Sequence, residues 1–408
     1  MYAFADILVG TVIGNHDLAG RVALACQREQ RFSEEIASIV HGNHDTHWLH
    51  VWISSSESKG RTRSGQPLTR DAYGGLVDDS SPTARGLPKK KTMMKISGFS
   101  FVRNGLKLYY PVIESISSVL PLVDEFVVAV GNGDPDDTTK DAILAIKSEK
   151  VRIIDTIWDE RLFTKGIINA IQTDIAKEVC SGDWLFYLQA DEVIHERYLS
   201  IIQRRCEELL PREEVEGLLF RYKHFWGDYD HFHRSHGWYP FEIRIIRNRP
   251  DIHSWQSAQS FRRFDYYEGP RQPAGHHKLK VALVDAEVYH YGWVRPPRLM
   301  TLKSRALNTL HRGLAWQERS REEASRKFEY GPLDRLALFS ETHPAVMRGM
   351  IERMDWKGTL QFSGRPDPRR LPHKHERFKY RLLTFLEQRL FGGRQIGGFQ
   401  NYVVLKDA

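Results

Sequence analysis

The chain has 408 residues, of which 41% are hydrophobic, and a formal net charge of +7 at pH 7. This length allows one large or two ordinary domains, and the basic charge favours anionic partners such as nucleotide phosphates or acidic lipid headgroups. No apolar run reaches the roughly 18 residues of a transmembrane helix, which argues against a membrane-spanning segment. The cysteines are few and lack metal-ligand spacing, which favours a reducing, cytoplasmic location.

Residues 1–92 differ in composition from the rest of the chain. From 53 to 92 there are almost no large apolar residues and many Ser, Gly, Pro and charged residues, a composition typical of disorder. The composition changes at Met93-Met94, where a hydrophobic pattern typical of a strand begins. We expect residues 1–92 to be a disordered or non-native extension and hypothesise that the functional protein starts at Met93 or Met94. N-terminal sequencing of the natural protein tests this.

From residue 95 the hydrophobic pattern alternates between strand and helix periods. Strands are predicted at 95–102, 125–130, 151–154 and 184–188, and helices at 106–120, 138–147, 163–179 and 195–210. Short connections between alternating strands and helices imply right-handed βαβ units and a parallel sheet. The predicted fold class is therefore α/β.

The pattern changes after residue 210. Half-exposed strands are predicted at 216–224, 242–247 and within 281–291, with an aromatic, histidine-rich loop between the first two. Residues 298–330 read as charged helix, and 377–390 as a basic amphipathic helix. We expect one domain over 93–297, followed by a helical C-terminal extension over 298–408.

The segment DWLFYLQADE, residues 183–192, is the most informative stretch. Its apolar run predicts a strand buried on both faces, and the carboxyl ends of parallel strands face the ligand crevice of an open sheet. Asp191 and Glu192 follow this strand, and their carboxylates are suited to Mg²⁺ or Mn²⁺. The alternative is that both residues cap the next helix, where acids favour the positive end of the dipole.

Three further features are predicted at the same edge. The loop GNGDPDDTT after the second strand carries acids that could bind ribose or base edges, or simply cap the next helix: Asp134, Asp136 and Asp137. Lys165 and Asn169 are expected one turn apart on the third helix, where a lysine can neutralise a diphosphate. His290, in HYGW, ends a late strand.

These segments resemble glycosyltransferase family 2, whose members have the GT-A fold, over roughly residues 96–312. FVRNG resembles the segment after the family's first strand, and VVAVGNGDPDDTT its second strand with the Asp-rich turn. FTKGIINAI followed by SGDWLFYLQADE resembles the third helix, the fourth strand and the metal-binding DXD region. HYGW is similar to the late histidine that completes the metal site in some members. The implied fold is a mostly parallel, Rossmann-like GT-A sheet flanked by helices.

The resemblance implies a metal-dependent, inverting glycosyltransferase that uses a nucleotide-diphosphate sugar. Asp191 would be the principal ligand and His290 a second ligand of a Mg²⁺ or Mn²⁺ ion, which offsets charge on the leaving nucleoside diphosphate. The candidates for nucleotide-sugar binding are Arg103, Asp134, Asp136, Asp137, Lys165, Asn169, Gln189 and Glu192.

An inverting displacement also needs a carboxylate base for the acceptor hydroxyl. Glu242, at a strand start after the aromatic loop, is the first candidate and Asp228 the second. The alternative for Glu242 is a surface ion pair with Arg244 or Arg247. Aromatic residues that suit a saccharide or lipid-linked acceptor, or that pack as an interface or lid, are Trp226, Trp238 and Tyr239.

Two residues depart from the family pattern. Gln189 replaces the first acid of the DXD motif, which lowers the charge available to a cation. Gly131 stands where many members place an Asp that recognises the nucleotide base, so the identity of that base is left open. The Gln189 departure motivates an alternative function, a nucleotide-sugar-binding or scaffold protein without turnover. A nucleotidyltransferase ranks lower, because the loop after the first strand is not a Gly-rich, basic phosphate loop.

We therefore predict a cytoplasmic glycosyltransferase in surface polysaccharide or glycoconjugate assembly. Its basic tail is expected either to pack on the catalytic domain or to contact anionic lipids at the inner membrane surface, and the first is preferred. A nucleic-acid partner is not expected, because the basic residues form no periodic stripe.

Overall fold

A computed structural model describes residues 93–320 and 327–406. The extension predicted over residues 1–92 lies outside the described residues. The described residues all belong to one compact unit.

The described part of the chain contains a 13-stranded sheet and helices on its faces. The strands are β1 (Ile96–Val102), β2 (Glu125–Gly131), β3 (Val151–Thr156), β4 (Trp184–Tyr187), β5 (Glu192–Ile194), β6 (Gly217–Trp226), β7 (His231–His233), β8 (Phe241–Arg247), β9 (Ile252–Trp255), β10 (Ser260–Phe264), β11 (His276–Trp293), β12 (Ala337–Leu338) and β13 (Tyr402–Val404). The helices are α1 (Val112–Val119), α2 (Thr139–Leu144), α3 (Ile167–Glu178), α4 (Leu199–Leu209), α5 (Pro297–Arg312), α6 (Leu314–Arg319), α7 (Arg348–Glu352) and α8 (Phe378–Leu390).

The main strand order is β3-β2-β1-β4-β8-β6-β11-β10-β9. The first four strands are parallel, as the βαβ pattern predicts, while β8 runs antiparallel to both β4 and β6. β5 pairs antiparallel with β11, which brings the segment after β4 against the late strand that carries His290. This parallel-rich, mixed sheet with flanking helices has the GT-A-like α/β architecture, and the fold-class prediction is confirmed.

The central strands are buried on both faces because helices cover each side. Successive side chains of a strand point to opposite faces, so Phe186 packs in one core cluster and Tyr187 in another. α1 contributes Ile116 to the first cluster, and α3 contributes Ala176 to the second. The apolar runs of β2 and β4 thus follow from two-sided burial.

The segment after residue 297 adds short strands as well as helices. β13 pairs parallel with β11, and β12 pairs antiparallel with β7. Met300 and Tyr330 pack with Trp226 in a buried cluster. The predicted division at residue 297 stays a prediction. Among residues 93–320 and 327–406, no helix combines the length and apolar character needed to cross a bilayer.

Candidate functional site

Asp191 and His290 lie together at the carboxyl edge of β4. The pairing of β5 with β11 sets Glu192 opposite His290, and the Tyr291 N–H donates to the Asp191 carbonyl oxygen at 2.8 Å. His290 Nε2 then lies 3.6 Å from Asp191 Oδ2, and each residue is 7% exposed. The structure therefore joins the two residues that the sequence suggested as metal ligands.

Neither Asp191 nor Glu192 caps the following helix. α4 begins only at Leu199, after a 3₁₀ turn whose N-cap residue is His195. The capping alternative is thereby removed.

Positive charge surrounds the Asp191 carboxylate. Lys303 of α5 places Nζ 3.4 Å from Asp191 Oδ2 and also donates to the Gly292 carbonyl oxygen. Burial alone would raise the pKa of Asp191, but Lys303, His290 and Arg295 outweigh it and hold the pKa well below its usual range. Burial, with the charge of Arg295, lowers the pKa of Lys303 to about 7. Asp191 is thus an ionised carboxylate with a cation beside it.

A chain of hydrogen bonds orients His290. His224 Nε2 lies 2.8 Å from the Tyr239 carbonyl oxygen, and His224 Nδ1 lies 2.9 Å from His290 Nδ1. A carbonyl oxygen only accepts, so His224 donates through Nε2 and accepts at Nδ1 from the His290 Nδ1–H. His290 therefore turns Nε2 toward Asp191, and a neutral ring would present the lone pair of that nitrogen. An imidazole lone pair beside a carboxylate is a donor set for a cation.

Gly292 keeps the space between these ligand atoms open. The pairing of β11 with β6 shifts register between His290 and Trp293, and Gly292 lies within that irregularity. A Cβ added at Gly292 would lie 2.5 Å from both Asp191 Oδ2 and His290 Nε2. The space therefore fits an ion with two protein ligands. No group of three or more His, Cys, Asp or Glu residues in the described ranges could hold a metal, so the other ligands would be phosphate oxygens or water.

Gln189 and Glu192 are turned away from this pair. The Gln189 amide donates to the Ala258 carbonyl oxygen at 2.9 Å. Glu192 is fully buried, where both of its oxygens accept from Arg244 at 2.7 Å and one accepts from Tyr222 Oη at 2.8 Å. Asp191 lies in the turn before β5, whereas Glu192 is the first residue of β5 and its carboxylate is held in the interior by Arg244.

The acids predicted for nucleotide binding gather at the ends of β1 and β2 but have partners. Lys107 Nζ lies 2.7 Å from Asp134 and 2.6 Å from Asp136, and Asp137 accepts from Thr139 Oγ1 at 2.6 Å. Asp137 also accepts from the Thr139 N–H near the start of α2, which agrees with the capping alternative for this loop.

Trp158 forms a wall of this part of the edge and was not anticipated from the sequence. A Cβ at Gly131 would lie 2.2 Å from Trp158 Nε1, so the indole leaves no room for a side chain at residue 131. Arg103 donates to the Asn132 carbonyl oxygen at 2.8 Å, and its guanidinium lies 5.7 Å from the Trp158 ring centroid. Trp158 Nε1 is buried and has no hydrogen-bond partner among the described residues.

Lys165 precedes the helix on which it was predicted. α3 begins at Ile167, and Gly166 is its N-cap residue in the left-handed region. Lys165 is exposed with φ of 50°, and its N–H donates to the His311 carbonyl oxygen. Asn169 lies within α3, 9% exposed, and its Oδ1 has no partner among the described residues. The two residues are therefore near one helix end but do not share a helical face.

The two candidate bases have different surroundings. Glu242 is 3% exposed, accepts from Ser260 Oγ at 2.7 Å, and burial raises its pKa above the usual range despite the opposing charge of Arg244. Asp228 is fully buried, and both of its oxygens face His231 Nδ1, at 2.9 and 3.0 Å. Asp228 is thus held in the turn before β7 by His231, and Glu242 is likewise buried but has no charged partner within ion-pair distance among the described residues.

Of the aromatic residues predicted to bind the acceptor, one lies in the hydrophobic core and two lie beside the candidate site. Trp226 is 2% exposed and donates from Nε1 to the Tyr330 carbonyl oxygen at 3.0 Å, so it belongs to the core. Trp238 and Tyr239 are half-buried, with ring centroids 5.0 and 4.6 Å from that of His224. These two rings adjoin the histidine that orients His290.

No family model and no curated protein matches the chain. Among solved structures, S. aureus TarS 1-349 in complex with UDP-GlcNAc is similar at 16% identity and a TM-score of 0.30, covering 53% of this chain and 66% of that one. Glucosyl-3-phosphoglycerate synthase from Mycobacterium tuberculosis, in complex with Mn²⁺, UDP and phosphoglyceric acid, is similar at 20% identity and a TM-score of 0.22. That match covers 33% of this chain and 43% of the synthase.

Proposed function

We propose that the chain is an inverting glycosyltransferase of the family 2 type that uses a nucleotide-diphosphate sugar and Mg²⁺ or Mn²⁺. One observation carries the proposal. A carboxylate oxygen of Asp191 and a nitrogen of His290 lie 3.6 Å apart, and Gly292 leaves the space beside them open, at the carboxyl edge of a parallel sheet. Mg²⁺ and Mn²⁺ are hard cations that prefer oxygen ligands, which Asp191 would supply, and His290 would add one nitrogen ligand.

The roles of the chain's own residues follow from this geometry. A divalent cation, when bound, would offset negative charge on the departing nucleoside diphosphate. His224 would hold His290 with Nε2 toward the ion, and protonated Lys303 would add positive charge beside Asp191. Arg103, whose guanidinium lies beside the Trp158 ring, would contact the nucleotide at the neighbouring strand ends.

The acceptor side of the proposal rests on Glu242 and two aromatic rings. Glu242 would take the proton from an acceptor hydroxyl, which then attacks the anomeric carbon opposite the leaving group and inverts it. Trp238 and Tyr239 would stack on the sugar ring of a saccharide or lipid-linked acceptor in surface polysaccharide or glycoconjugate assembly. The alternative function, a nucleotide-sugar-binding protein without turnover, is supported by Gln189. The Gln189 amide donates to the Ala258 carbonyl oxygen and adds no charge to the site.

The donor site is tested by thermal unfolding with UDP-, GDP-, dTDP- and CMP-sugars, each with Mn²⁺ or with EDTA. We expect one nucleotide to stabilise the wild type only with Mn²⁺, by about 2.7 kcal/mol at a hundredfold its dissociation constant. Asp191→Ala should lose that stabilisation, because the principal cation ligand is gone. Asp265→Ala, which removes an exposed ion pair with His277 outside the candidate site, is the matched control and should keep it. Stabilisation by no nucleotide would remove the donor-site assignment.

Glu242→Gln should lower kcat about a hundredfold while the donor still binds, because an amide cannot accept the hydroxyl proton. Burial raises the pKa of Glu242, so the wild-type rate should fall as the pH is lowered through that raised value, where the carboxylate becomes protonated. Initial rates across pH, with donor binding measured in parallel, check both points. A kcat near the wild-type value would assign the base to another residue.

A further inference from the structure

The outer face of α8, defined here as Phe378, Lys379, Arg381, Leu382, Phe385 and Arg389, is exposed. Its apolar members are 79%, 47% and 59% exposed, at Phe378, Leu382 and Phe385 respectively. They follow the i, i+4, i+7 spacing of a single helical stripe. Soluble proteins rarely expose such a contiguous apolar stripe, so the outer face of α8 is expected to meet a partner.

The inner face of α8 is already fixed to the protein. Glu387 is 1% exposed and lies 2.6 Å from His236 Nδ1, and Thr384 Oγ1 accepts from the His236 N–H at 2.9 Å. Gln388 donates to the Arg234 carbonyl oxygen. The helix is therefore held against the aromatic loop, and its outer face points away from these contacts.

The charge around the outer face has one sign. The exposed basic residues from 374 to 394 are Lys374, Arg377, Lys379, Arg381, Arg389 and Arg394. The acids in this stretch are Glu376 and Glu387, which are 7% and 1% exposed and are paired with Arg370 and His236. The exposed surface of this stretch therefore combines aromatic and aliphatic side chains with positive charge only.

We propose that the outer face of α8 docks on a lipid bilayer with anionic headgroups. The apolar side chains would enter the boundary between headgroups and acyl chains, while the basic residues bind the acidic headgroups. A second copy of this chain is a poorer fit. In a two-fold contact the face would meet itself, and basic residues would lie against basic residues. Docking would also bring the loop bonded to α8, with Trp238 and Tyr239, close to lipid-linked molecules.

Vesicle flotation of the full chain tests the docking surface. The wild type should float with vesicles of equimolar phosphatidylcholine and phosphatidylglycerol and stay unbound with phosphatidylcholine alone. Phe378→Ser with Leu382→Ser and Phe385→Ser should lower the partition coefficient by at least roughly tenfold, because the inserted apolar area is lost. The matched control replaces exposed leucines on other surfaces, Leu144, Leu283 and Leu338, by serine and should bind like the wild type.

Charge-reversal variants measure the electrostatic contribution to vesicle binding separately from the apolar contribution. Lys379→Glu with Arg381→Glu and Arg389→Glu should also abolish flotation, and added salt should weaken wild-type binding. Absence of wild-type flotation, or flotation that neither set of substitutions changes, would overturn the proposal. So would a concentration-dependent dimer that the serine variant dissolves without any vesicle binding, which would assign the face to a second copy. No nucleotide enters this test, so its result is independent of the donor-site assignment.

Discussion

Replacing Gly292 with alanine should abolish metal-dependent nucleotide binding and lower sugar transfer at least about a thousandfold. The added Cβ would lie 2.5 Å from Asp191 Oδ2 and from His290 Nε2, so both side chains must turn away from the space between them. The backbone at Gly292 is not in the left-handed region, and the nearest atoms are side-chain ends. The fold should therefore survive while the cation site does not.

The matched control for this variant is Gly358→Ala. No atom lies within 4 Å of a Cβ at Gly358, and its φ is likewise outside the left-handed region. Titration calorimetry with Mn²⁺ and the selected nucleotide should give wild-type binding for Gly358→Ala and none for Gly292→Ala. Wild-type binding by folded Gly292→Ala would place the cation elsewhere.

Replacing Arg244 with methionine should lower the free energy of unfolding by about 3–5 kcal/mol, because Glu192 is left as a buried, unpaired carboxylate. Arg244 and Glu192 are both fully buried and share two hydrogen bonds of 2.7 Å. Urea unfolding measures the loss. The change should be in stability and not directly in cation binding, since Arg244 is bonded to Glu192 and the Asp191 carboxylate lies beside His290 and Lys303.

Two further variants test whether the unpaired Glu192 carboxylate causes this loss of stability. Glu192→Met combined with Arg244→Met should be more stable than Arg244→Met alone, since no unpaired charge then remains in the interior. Arg161→Met, which breaks the exposed pair with Asp159, should change stability little. A double variant as unstable as Arg244→Met would show that packing, and not the unpaired charge, accounts for the loss.

The sequence predicted the first half of the fold better than the second. β1 to β4 have the apolar runs that burial on both faces requires, and short connections join them to α1 to α3. The order of these strands and helices can therefore be predicted from the hydrophobic pattern alone. β9 and β10 were not predicted, because IHSW and SFRRF alternate too briefly to stand out from loop. β5 was not predicted, since its strand state depends on pairing with β11. That pairing joins segments far apart in sequence.

The candidate site likewise contains residues that local sequence patterns indicated and residues that they did not. Asp191 and His290 were found from their positions after strands and from the family resemblance. Lys303 was not, because 112 residues separate it from Asp191 and a charged helix gives no sign of which lysine turns inward. His224 and Gly292 were missed for a related reason. Their roles depend on a contact with His290 and on the register shift of β11, which no local pattern records.

Electron spin echo spectroscopy of Mn²⁺ bound together with the nucleoside diphosphate tests the central claim most directly. If His290 Nε2 and Asp191 hold the ion, the wild type should show modulation from a nitrogen bound to Mn²⁺. His290→Gln should lose that modulation while it still folds. Absence of nitrogen modulation in the wild type, or its persistence in His290→Gln, would contradict the account, since the ion would then have other ligands.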